Sequence, residues 1–88
     1  MFIAKVIGKV VSTQKAEKLV GSKLLVIKSI NEYQRFSEEN ALVAVDRVGA
    51  GMDDIVLVDW GDSLYEEAKL AADMAIVGII DEIQLEGK

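Results

Sequence analysis

Apolar and polar residues alternate from Phe2 to Thr13. Phe2, Ala4, Val6, Gly8 and Val10 fall on one side of an extended chain, and Ile3, Lys5, Ile7, Lys9 and Val11 on the other, the period of two that marks a β-strand. The second side mixes apolar residues with lysines, so neither side is purely solvated. Three more segments read as strands: Lys23–Ile30 (KLLVIKSI), Ala41–Val48 and Ile55–Trp60 (IVLVDW). A fifth, Ala75–Leu85, has its cleanest apolar side at Ala75, Val77, Ile79, Ile83 and Leu85. Turn chemistry separates the segments: Gly21-Ser22 before the second, the polar stretch Asn31–Asn40 before the third, and Gly49-Ala50-Gly51 before the fourth. Tyr33 and Phe36 are expected to fold back from the polar stretch as a lid on the core. Between the fourth and fifth segments, Ser63 and Glu66 have capping-box spacing. Leu64, Ala68 and Ala71 add a narrow apolar stripe, which predicts one short helix running to about Asp73. The fold class that follows is mainly β: a small five-stranded, OB-like β-barrel with one short helix, a single domain over residues 1–88.

Composition changes this picture by adding a surplus. A chain of 88 residues buries only about two thirds of the surface its unfolded form exposes, yet 51% of these residues are apolar. Association with copies of itself is the economical way to cover the remainder. A membrane is the other sink, but the longest uncharged apolar run, Met74–Ile80, falls far short of the ~20 residues of a spanning helix. The N-terminal residues lack the basic region, apolar stretch and cleavage site of a secretory signal. A cytoplasmic protein is expected, with no membrane partner.

The chain contains no histidine and no cysteine, which removes the commonest general base, the thiolate nucleophile and the usual transition-metal ligands. A formal charge of −5 and a pI near 4.6 oppose a phosphate backbone, because nucleic-acid affinity comes largely from Lys and Arg displacing counterions. No enzyme activity, cofactor or metal is expected, and no nucleic acid. Four acidic pairs, Glu38-Glu39, Asp53-Asp54, Glu66-Glu67 and Asp81-Glu82, read as solvated charge. Only Asp53-Asp54, in a loop, has a route to converge on a cation, and the sequence advertises no further oxygens for it. The alternative to an assembling protein is an OB-type binding module for single-stranded nucleic acid or a small ligand. Its candidate stacking residues, Phe2, Tyr33, Phe36, Trp60 and Tyr65, are scattered and lack a basic groove.

Gly49-Ala50-Gly51 begins like a dinucleotide fingerprint, but the third glycine position of G-x-G-x-x-G holds Asp54, a carboxylate where pyrophosphate would lie. A strand follows, so no helix N-terminus is on hand for an anion. The glycines instead mark backbone that needs positive φ or a close approach. Lys5 and Lys9, set among Ile3, Ile7 and Val11, suggest a partly buried face at a subunit contact.

Five blocks in order then carry a resemblance. They are Ile3 to Lys15 (IAKVIGKVVSTQK), Leu19 to Val26 (LVGSKLLV), Val43 to Gly51 (VAVDRVGAG), Val56 to Val58 (VLV) and Ala75 to Asp81 (AIVGIID). Together they resemble the EutN/CcmL family of bacterial microcompartment vertex proteins over nearly the whole chain. The resemblance implies a barrel that assembles into a homopentamer. In a bacterial cytoplasm such a ring plugs the vertices of a polyhedral protein shell, beside hexameric shell proteins; for the isolated protein, rings of five or six both stay open. It further implies that Gly49, Ala50 and Gly51 lie near the fivefold axis, rimming a narrow pore, and makes Ile3, Lys5, Ile7 and the Ile76–Ile80 stretch, with Ile76 and Ile80 at its ends, the candidates for subunit contact. Two stretches depart from the family: Asp53-Asp54 stands where Gly-Glu is frequent, and Gly61-Asp62-Ser63-Leu64-Tyr65 lacks the arginine that often follows there.

Overall fold

The computed structural model describes residues 1–11, 23–60 and 74–86. Five strands, β1 (Phe2–Lys9), β2 (Lys23–Ser29), β3 (Leu42–Asp46), β4 (Ile55–Trp60) and β5 (Met74–Ile79), close into a barrel in the order β1-β2-β3-β5-β4. β1 is the organising ribbon. Its register sets Ala4 opposite Ser29 and Val6 opposite Ile27 on one edge, and Ala4 opposite Val56 on the other. Every pairing is antiparallel except that of β3 with β5, which is parallel and short, Val45 facing Ala75 and Asp46 facing Ile76.

Alternation puts one side of each strand inside. Ala4 and Val6, Leu25 and Ile27, Ala44, Val56 and Val58, and Ile76 form the buried centre, with Phe2, Leu42 and Met74 packed against it. Small residues on β1 and β3 face branched ones on β2 and β4, which is how a narrow barrel fills its interior. Each fully buried Val, Leu or Ile contributes roughly 1.5–3 kcal/mol.

Two bulges break the simple period. In the β1–β2 ladder Val6 pairs with Ile27 and Gly8 with Val26, leaving Ile7 as the extra residue. A bulge residue reverses the in-out sense beyond it, so Gly8 stands beside outward-facing Val26 rather than sharing the side of Phe2, Ala4 and Val6. In the β4–β5 ladder Leu57 pairs with Gly78 and Val58 with Ile76, leaving Val77 over. The face expected at Ala75, Val77 and Ile79 therefore holds only in part: Ala75 is fully buried, but Met74 and Ile76 supply the side chains packed in the core cluster, and Ile79 is exposed. β5 also ends at Ile79, well before Leu85.

Tyr33 and Phe36 do not close over the core; both are exposed. The Asn31 carboxamide oxygen accepts the N–H groups of Tyr33 and Arg35, which turns the chain outward. Phe36 then bridges back to Ile30, beneath the Lys28 ammonium at 5.5 Å from the ring centre. The buried residue at this end is Ile30. The helix expected between Ser63 and Asp73 falls outside the described residues.

Candidate functional site

The glycine loop is built around a carboxylate. Asp46 ends β3 with its side chain only 2% exposed, and its Oδ1 accepts the N–H groups of Val48, Gly49 and Ala50 at 3.1, 3.1 and 3.2 Å. Lys23, across the β2–β3 ladder, puts its ammonium 3.4 Å from Asp46 Oδ2 and donates to the Ala50 carbonyl. A second carboxylate continues the pattern, for Asp54 Oδ2 accepts from Gly51 N–H at 2.8 Å. Four successive loop N–H groups are thus taken by the chain's own acids. This is the physical reason the loop is no phosphate cradle, since the donors an anion would need are already engaged.

The three loop residues have separate roles. Gly49 has φ +81° and no other atom within 4 Å of a Cβ placed there, so it is required by backbone conformation. Ala50 is fully buried and joins the barrel core. Its methyl is an end plug of the barrel, so the loop is anchored from within. Gly51 opens a tight turn in which Asp54 N–H returns to its carbonyl and Asp53 takes φ 69°. Asp53 N–H and Asp54 C=O then bond to Val6, tying the loop to β1. Asp53 and Asp54 diverge: Asp54 is held by Gly51 N–H, and Asp53 faces outward, 3.8 Å from Lys5.

The contact candidates separate just as sharply. Ile76 is fully buried inside the barrel, so its side chain cannot form part of a subunit surface. Ile3, Lys5 and Ile80 lie together on the outside, because Ile3 pairs with Leu57 and Leu57 with Gly78, while Lys5 pairs with Ile55 and Ile80 N–H bonds to Ile55 C=O. Ile3, Ile55, Leu57 and Ile80 are all partly exposed, an apolar band across β1, β4 and the end of β5. Ile55 and Leu57 went unselected in the sequence, although their alternation with inward Val56 and Val58 was the signal. Ile7 sits away from this band, at the β1 bulge, 38% exposed. Near the opposite end, a shallow depression lined by Phe2, Ser29, Glu39 and Leu42 offers no set of converging donors.

The family model described as ethanolamine utilisation protein EutN/carboxysome matches residues 1–81. The chain belongs to the EutN/CcmL family. Among EutN/CcmL relatives, the microcompartment shell vertex protein GrpN of Rhodospirillum rubrum is 41% identical over 87 residues, covering 96% of this chain and 97% of that protein. The carboxysome shell vertex protein CcmL of a Nostoc species is 40% identical over 91 residues, covering 100% of this chain and 90% of its own. The solved structure of GrpN, described as a pentameric microcompartment shell protein, superposes with a TM-score of 0.85 over 97% of this chain and 99% of that one. The EutN/CcmL barrel is therefore the frame in which the glycine loop and the apolar band are to be understood.

Proposed function

We propose that this protein is a structural vertex component of a bacterial microcompartment shell, acting as a homopentamer and without catalytic activity. The observation that carries the reading is the near-complete overlap with a pentameric shell protein together with the partly exposed apolar band over Ile3, Ile55, Leu57 and Ile80. A flat layer of hexagonal tiles closes only where five-sided units supply curvature, so the ring's geometry is its activity. Its edges abut hexameric shell proteins, and the site of action is the shell within the bacterial cytoplasm. Gly49 and Gly51 bring the loop close to the fivefold axis. Ala50 contributes from within each barrel by fixing the loop's base.

Native mass spectrometry tests the reading. The expected species has five times the 9.6 kDa chain mass, about 48 kDa, and adding it to hexameric shell sheets should close them into polyhedra. A stable, folded monomer at micromolar concentration overturns it.

A further inference from the structure

A closed ring of five joins subunits head to tail, so every contact pairs two different patches of the same chain. The band over Ile3, Ile55, Leu57 and Ile80 is one. The other must lie elsewhere on the barrel, and the β-ladders show where. Beyond the β1 bulge Gly8 faces Val26, and Val26 faces Val43, an outward row across β1, β2 and β3 on another flank. Val43 is 43% exposed in mid-strand and Ile7 38% at the row's end. Gly8 adds no side chain to the row, where a Cβ would make only ordinary contact with Val26 at 3.6 Å.

Charge distinguishes the two surfaces. Around the first band lie Asp59 on β4 and the exposed Asp81 and Glu82 directly after Ile80; its one cation among the described residues, Lys5 beside Ile55, is set against Asp53 at 3.8 Å, which leaves the rim acidic. The second is flanked by Lys9, exposed, and Lys28, which lies next but one to Val26 on the same outward side of β2. An acid-rimmed apolar band and a lysine-rimmed apolar row are complementary in both terms, and opposite rims favour one docking register over others.

We infer that, within the ring reading proposed above, the β1-β4-β5 band of each subunit packs on the Ile7–Val26–Val43 row of the next copy. The occupant of the row is a second copy of this chain, and the β1 bulge is the device that makes the row, by turning Gly8 outward and lifting Ile7.

The test uses two full-length variants, Ile80→Glu on the band and Val43→Glu on the row, each checked for folding by circular dichroism. Each alone should run as a monomer by analytical ultracentrifugation, because every junction then contains one damaged side. Mixed one to one, they should form a heterodimer and no ring, since the band of V43E and the row of I80E still fit. A V43E ring that stays pentameric overturns the assignment of the row, and a mixture that remains monomeric overturns the pairing. If V43E does not fold, Val43→Thr should raise the ring's dissociation constant at least tenfold, and an unchanged constant counts against the row. A wild-type protein that is monomeric sinks the ring itself, a result distinct from either.

Discussion

Asp46→Ala is the most searching perturbation of the glycine loop. The substitution removes an acceptor for three N–H groups and the partner of Lys23. Val48 and Gly49 are exposed, so water takes over their N–H groups at a cost of about 0.5 kcal/mol each. The N–H of buried Ala50 has no such recourse, and losing a charged acceptor there costs about 1.5–3 kcal/mol. Lys23 is half-exposed, which limits the ion pair to less than about 1 kcal/mol. The total is about 3 kcal/mol, or a fall in Tm of roughly 12 °C or more for a domain of this size. Urea denaturation at one fixed protomer concentration measures it, because ring formation otherwise adds its own stability. Asp46→Asn, which keeps one acceptor oxygen, should lose about half as much. Lys23→Met should lose under 1 kcal/mol by the same estimate. A loss below about 0.5 kcal/mol for Asp46→Ala refutes the claim that this carboxylate shapes the loop.

Gly49→Ala should cost about 1–2 kcal/mol from left-handed backbone alone, since no neighbouring atom opposes the new methyl; an unchanged urea midpoint contradicts this. Asp53, at φ 69°, tolerates Gly but not a β-branched residue: Asp53→Val should lose roughly 1–2 kcal/mol, whereas Asp53→Gly stays within about 0.5 kcal/mol of wild type, because its carboxylate is largely in solvent and the ion pair with Lys5 is worth little. Ile76→Val should lose about 0.5–1.5 kcal/mol of folding stability yet assemble at the wild-type protomer concentration, and a ring defect larger than the folding defect would show that Ile76 is not confined to the interior.

Strict alternation made β2 and β4 legible, because Leu25 and Ile27, like Val56 and Val58, obey a period of two through to the strand ends. β1 and β5 were legible only as far as their bulges. One surplus residue at Ile7 or Val77 reverses the sides beyond it, and nothing in the alternation of side chains marks where that happens. The loop was half visible: two glycines announced special backbone, and Gly49 has it. The burial of Ala50 was not legible, because an alanine between glycines looks like a spacer, whereas burial of its methyl depends on how β3 and β4 meet. Asp46 carried a signal that was passed over, an aspartate at a strand end followed by a glycine three residues on, the arrangement in which a side-chain oxygen gathers neighbouring N–H groups. The outward course of Tyr33 and Phe36 was not legible, because the Asn31 carboxamide, by taking two N–H groups of the loop, sets its direction.

The parallel contact between β3 and β5 is the shortest seam of the barrel. With two paired positions against four or five in the other ladders, the cylinder should zip shut there last and breathe there first. The amide hydrogen of Ile76, whose backbone faces β3, would then exchange ahead of those of β1. A tile with one yielding seam and four firm ones can flex to meet neighbours set at slightly different angles without giving up its shape.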